Sequence, residues 1–155
     1  MAFQITALPI DAFAPLFALD DAGLRAIGAK RYVADRRPGF PCRVSLEDAA
    51  PGERVLLVPF THQPAESPYR ASGPVFVRES ARQARPGRDE ISELLRSRLL
   101  SVRAYDAGSL MVGADAVDGR ELESVIERFF DRSDVQYLHL HFARPGCYAC
   151  RVDRA

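Results

Sequence analysis

Two stretches of two-residue alternation constrain this chain more than any other feature. In "YLHLHF", residues 137–142, Tyr137, His139 and His141 fall on one side of an extended backbone, and Leu138, Leu140 and Phe142 fall on the other. "LSVRAYD", residues 100–106, repeats the pattern, with Ser101, Arg103 and Tyr105 opposite Leu100, Val102 and Ala104. A strand with one wholly apolar side must bury it. Both segments are therefore expected in a sheet with one face in the core and one polar face.

The clearest helix is "GRELESVIERFFDRSD", where Leu122, Val125, Ile126, Phe129 and Phe130 recur at the spacing of one helical face. Two short helices are expected earlier, over residues 11–19 with Asp11 as N-cap and over residues 20–29 with an acidic first turn. Phe13, Leu16 and Phe17 share a face that suits the cover of a sheet, and "EISELLRSR" reads as a further helix. Strands are expected in "RYVAD", "PCRVSLED", residues 54–60, "VFVRES" and "SLMVGADAVDG", and Arg144-Pro145-Gly146-Cys147 is the turn that joins the last two strands. Residues 61–74, "THQPAESPYRASGP", hold three prolines and no apolar period, and they read as a long polar loop of the kind that carries function. The expected fold is α+β. It is one domain over residues 1–155, with a mainly antiparallel, curved sheet of about six or seven strands covered by about four helices.

The 21 basic and 21 acidic side chains balance to a formal net charge of zero. No long-range field gathers a phosphate backbone or an anionic lipid surface, so neither nucleic acid nor membrane is an expected partner. No apolar run approaches the ~20 residues of a bilayer span. Three cysteines, and an N-terminal stretch with acids among its apolar residues and no basic region, predict a reducing cytoplasmic setting.

His139 and His141 stand ~6.5–7 Å apart at their Cα atoms, close enough for two imidazoles to converge on a metal ion or an anion. The cysteines depend on the register of the hairpin. A two-residue turn at Pro145-Gly146 sets Cys150 opposite His141, whereas a three-residue loop with Gly146 in the left-handed conformation brings Cys147 to the histidine face instead. Either register gives the histidines one cysteine, which argues against a closed four-ligand zinc site. It leaves one alternative, a metal-dependent enzyme whose ion is held by His139, His141 and either Cys147 or Cys150, with one position open.

The leading expectation is a pocket for a small anionic molecule. Arg103 and Arg70 bind the anion, His139 and His141 carry protons near their ordinary pKa of ~6.5, and Tyr69 and Tyr105 orient the ligand. His62 and Arg78 are further binding candidates, with the 61–74 loop as a cover. A third reading is a non-catalytic interaction module or homodimer whose arginines and tyrosines meet a protein partner. The chain holds no phosphate-binding loop, dinucleotide fingerprint, nucleophile elbow or His-Glu-x-x-His motif. No cofactor is assigned, and whether chemistry follows binding stays open.

The segments "PGFPCRVSLEDAAPGERVLLVPFTHQPAESPYRASGPVFVRE", "LSVRAYD" and "HLHFARPGCYACRVDRA" resemble, over nearly the whole chain, the bacterial domain-of-unknown-function 1203 family. "SPYRASGPVFVRE" and "ARPGCYACRVDR" are the most distinctive parts of the match. The resemblance implies a small stand-alone bacterial protein. It implies no particular reaction, cofactor or catalytic residue.

Overall fold

The computed structural model describes residues 2–155. Its ten strands form two five-stranded sheets, accompanied by three α-helices. The first sheet runs in the order β1 (Phe3–Thr6), β10 (Tyr148–Arg154), β9 (Tyr137–Phe142), β7 (Leu99–Tyr105) and β8 (Met111–Asp118), antiparallel throughout. The second runs β2 (Lys30–Val33), β5 (Arg54–Gln63), β6 (Ala71–Arg78), β3 (Pro41–Cys42) and β4 (Glu47–Asp48), antiparallel except where β3 joins β6.

The α+β class and the antiparallel character therefore hold, while two sheets of five strands replace the expected single sheet. Two local features account for the difference. "FQIT" forms β1 only because β10, from the far end of the chain, offers it an edge. "PCRVSLED" is a tight hairpin of two-residue strands, folded back through Leu46 at a φ of 53°. Residues 61–74 also differ from expectation, because β5 continues to Gln63 and β6 begins at Ala71. Polar side chains on an exposed part of a ladder gave no apolar signal. Thr61 Oγ1 and Ser72 Oγ share a hydrogen bond of 2.8 Å across the two strands, and a bulge lies between Phe60 and Gln63. The true loop is residues 64–70.

The helices are shorter than the sequence pattern suggests. Residues 11–19 form two 3-10 turns, Ile10–Ala12 and Ala14–Ala18, and Asp11 caps neither. Pro15, near the start of the second turn, supplies no N–H to a continuous helix. Asp20 is the N-cap of α1 (Asp21–Ala26), its Oδ1 accepting the Gly23 N–H at 2.8 Å. "EISELLRSR" yields a single turn, α2 (Glu93–Arg96). The strongly periodic segment forms α3 (Leu122–Phe130), and all five of its periodic apolar residues are buried.

Two principal apolar cores follow from these faces. In the first, Leu100, Val102, Leu138, Leu140 and Phe142 meet the buried stripe of α3 and Leu94 and Leu95 of α2. Each such side chain contributes roughly 1.5–3 kcal/mol when fully removed from water. In the second, Leu56, Val58, Val75 and Val77 pack under Phe13 and Leu24, as the shared face of the N-terminal turns required. Tyr148 belongs to β10 of the first sheet but is buried in this second core, so its ring joins the two sheets. That junction leaves the polar face of the first sheet beside the end of β5. Among the described residues no helix is long and apolar enough to cross a membrane.

Candidate functional site

The register of β7 against β9 sets Ser101 opposite His141, Arg103 opposite His139 and Tyr105 opposite Tyr137. The polar sides of the two alternating strands thus adjoin as one surface. Arg103, Tyr105, His139 and His141, all singled out from the sequence, share it. Neither histidine is solvent-facing: His139 is 3% exposed and His141 1%.

The hairpin follows neither expected register along its whole length. Gly146 takes a left-handed φ of 82°, and its N–H reaches the Phe142 carbonyl at 2.8 Å while the Phe142 N–H reaches Cys147 at 2.9 Å. Cys147 therefore opposes Phe142, and Tyr148 opposes His141. A second irregularity between Tyr148 and Cys150 then sets Cys150 opposite Leu140, on the core side, where it is fully buried. A four-residue turn over residues 143–146 and one bulge between Tyr148 and Cys150 thus keep both cysteines off the histidine face. The expected His139, His141 and cysteine combination is not assembled.

Its third member is instead His62, delivered from the second sheet by the end of β5. One ring nitrogen from each of His62, His139 and His141 lies within 4.8 Å of the others. These are the chain's only three histidines. Their rings surround Tyr148: His62 is stacked on it at 5.3 Å and 10°, while His139 and His141 meet it edge-on at 5.2 and 5.7 Å. Tyr105 and Tyr137, stacked on each other at 5.2 Å, close the other side against His139.

Three imidazole nitrogens in this group, His62 Nδ1, His139 Nδ1 and His141 Nε2, are buried and have no hydrogen-bond partner among the described residues. Burial is also the main influence on their charge. It pushes His139 down to about 3, aided by the positive charges of His141, Arg151, His62 and Arg103. It pushes His141 down to about 4 against the pull of the Gly146 carbonyl, and it lowers His62, with Arg103 adding to the effect. At neutral pH all three rings are therefore uncharged bases with available lone pairs. Burial likewise drives the Tyr148 phenol above its ordinary range, so it stays protonated.

A cavity of about 390 Å³ opens onto His62, His139, Tyr148, Tyr137 and Arg151. On one wall Gln63 Nε2 donates to Tyr137 Oη at 3.0 Å, and Tyr137 Oη donates to Ser109 Oγ at 2.9 Å. Arg151 lies over the Tyr137 ring at 4.0 Å and is paired with Asp153. Arg103 has one side-chain hydrogen bond, from Nε to Ser101 Oγ at 3.3 Å, and no carboxylate partner among the described residues.

The remaining candidates lie elsewhere. Tyr69 touches Tyr105 edge-on at 6.0 Å and is 38% exposed, at the margin of the aromatic group. Arg70 is engaged within its own loop, donating to the Pro64 carbonyl at 3.2 Å. Arg78 is remote from the histidines, held by Glu53 at 2.7 Å and Glu47 at 3.1 Å, so its charge is already satisfied. Tyr148, the ring about which the histidines cluster, and the buried Arg43 were not singled out from the sequence. An isolated aromatic after a turn carries no signal until a bulge fixes its face.

Neither a curated protein nor a solved structure matches this chain. A family model described as protein of unknown function (DUF1203) matches residues 39–154, a span that takes in β3 to β10 and all three histidines. The chain belongs to the DUF1203 family.

Proposed function

We propose that the protein binds one divalent transition-metal ion through His62, His139 and His141, and that the ion and Arg103 together hold a small anionic ligand. The observation that carries this reading is the set of three buried, unpartnered imidazole nitrogens. A buried polar atom with no partner is costly, on the order of 1–3 kcal/mol each, and a metal ion relieves all three at once. Neutral imidazoles suit zinc, copper, iron and nickel rather than magnesium or calcium. Three protein ligands leave a coordination position for water or ligand, the arrangement of catalytic rather than closed structural sites.

Imidazole nitrogens sharing one tetrahedral zinc sit ~3.4 Å apart, from Zn–N bonds of ~2.1 Å. The present spread is up to 4.8 Å, so binding the ion draws the three rings closer together. With three neutral ligands the ion keeps its full charge, and Arg103 adds a guanidinium with no carboxylate partner among the described residues, so the site favours anions. An anion held by the histidines alone is less favourable, because burial keeps both His139 and His141 unprotonated down to about pH 4.

Titration of metal-free protein with Co2+ tests the proposal. One equivalent is expected to develop the visible absorption of a low-coordinate nitrogen site, and inorganic phosphate is expected to shift those bands by entering the open position. Absence of the bands, or equal bands in His62→Ala, overturns it.

A further inference from the structure

A second cluster lies on the opposite side of the terminal hairpin. Arg43 is 1% exposed, yet no carboxylate accepts from it among the described residues. Its Nε donates to the Tyr148 carbonyl at 2.8 Å, its Nη1 to the Pro41 carbonyl at 2.6 Å and its Nη2 to Cys147 Sγ at 2.9 Å. A guanidinium carries five N–H groups, so these contacts leave two unused. Burial pulls the Arg43 pKa down from its ordinary value, and Cys147 opposes that effect. Among the described residues the sulfur is the only side-chain acceptor the buried cation has.

Arg43 and Cys147 lie in a cavity of about 720 Å³ whose walls include Arg98, Arg144 and the Phe142 ring. Arg43 and Arg98 sit over that ring at 4.9 and 5.1 Å. Arg98 is paired with Asp48 at 2.6 Å, but Arg144 forms no ion pair among the described residues. Asp118 is the single acid in the lining. Of the three free cysteines, Cys42 and Cys150 are fully buried, and Cys147 is the one within reach of a molecule in a cavity.

We propose that Cys147 is a nucleophilic thiol in a cationic pocket, separate from the three histidines, and that it takes small electrophiles bearing a carboxylate or phosphate. Arg43 donates to the sulfur and so holds it at the wall of the cavity. Arg144 and the unused Arg43 N–H groups draw in the anionic end of the ligand. In the step itself the proton leaves Cys147 for solvent and the sulfur electron pair attacks the electrophilic carbon. A C–S bond forms as the leaving group departs with its bonding pair.

Alkylation of the intact chain with iodoacetate and with iodoacetamide, each followed by peptide mass analysis, tests the proposal. A free cysteine prefers the uncharged reagent. At Cys147 the preference is expected to reverse at low ionic strength in favour of iodoacetate, by roughly tenfold relative to free cysteine, and to shrink on adding salt or inorganic phosphate. Cys147→Ser removes the label from native protein, and Arg144→Ala lowers the ratio of iodoacetate to iodoacetamide rates. A ratio equal to that of free cysteine, or labelling at Cys147 no faster than at Cys150, overturns the proposal.

Discussion

Nδ1 of His141 lies 3.0 Å from the carbonyl oxygen of Gly146. A carbonyl can only accept, so Nδ1 carries the proton and Nε2 keeps its lone pair, buried and without a partner. The turn that reverses the last hairpin therefore also fixes the tautomer and orientation of one metal-ligand candidate, in the way that outer-shell carbonyls set ligating histidines.

The depressed histidines make the metal-free protein acid-sensitive. In the unfolded chain a histidine titrates near ~6.5, whereas the folded state holds His139 at about 3 and His141 at about 4. Between those limits the unfolded chain binds more protons. Stability that is full above about pH 6.5 therefore falls as the pH drops, by up to roughly 1.4 kcal/mol per pH unit for each histidine. Urea unfolding midpoints at about pH 7 and about pH 5 measure the loss, and replacing both residues with glutamine should flatten it. An equal slope in that double variant contradicts the assignment.

Cys150 faces the first core and not the histidines, and burial holds its thiol up at about 12. Cys150→Ser should leave metal stoichiometry unchanged while destabilising the fold by about 1–3 kcal/mol through a buried hydroxyl. Metal content and thermal unfolding of one preparation check both halves. Loss of metal without loss of stability would restore cysteine as a ligand.

Arg103 stands opposite His139 and has no ion-pair partner among the described residues. Arg103→Ala should retain the metal and weaken phosphate binding about tenfold, or roughly 1.4 kcal/mol, as read by calorimetry on the metal-loaded protein. Unchanged phosphate affinity removes Arg103 from the ligand site.

Gly119 packs between α2 and α3, where an added Cβ would overlap the Leu95 carbonyl and come within 2.8 Å of Arg96 Cα. Because both neighbours are backbone, relief requires moving a helix. Gly119→Ala should cost about 3 kcal/mol or more by chemical denaturation. A cost under ~1 kcal/mol would show that α2 shifts freely.

The parts of this protein legible in sequence are those decided locally. The alternation of Leu100 to Tyr105 and of Tyr137 to Phe142 revealed both faces of β7 and β9, and the spacing of Leu122 to Phe130 revealed α3 and its buried stripe. The parts decided at long range were hidden. His62 stood among the binding candidates, but its approach to His139 depends on how the end of one sheet meets the other. The fate of Cys147 turned on the length of the turn over residues 143–146, and that of Cys150 on one bulge, a one-residue slip that exchanges faces. Arg43 resembles any surface arginine until the structure encloses it. Arg70 and Arg78 carried the right chemistry, but their own loop and Glu53 had already engaged them.

Metal binding by the three histidines can be measured by elemental analysis of protein purified without chelator, beside His62→Ala and His141→Ala. Close to one equivalent of a transition metal is expected in the parent protein and little in either variant, with both variants still folded by circular dichroism. A metal-free parent that also fails to take up Zn2+ or Co2+, or variants that retain the metal in full, would contradict it.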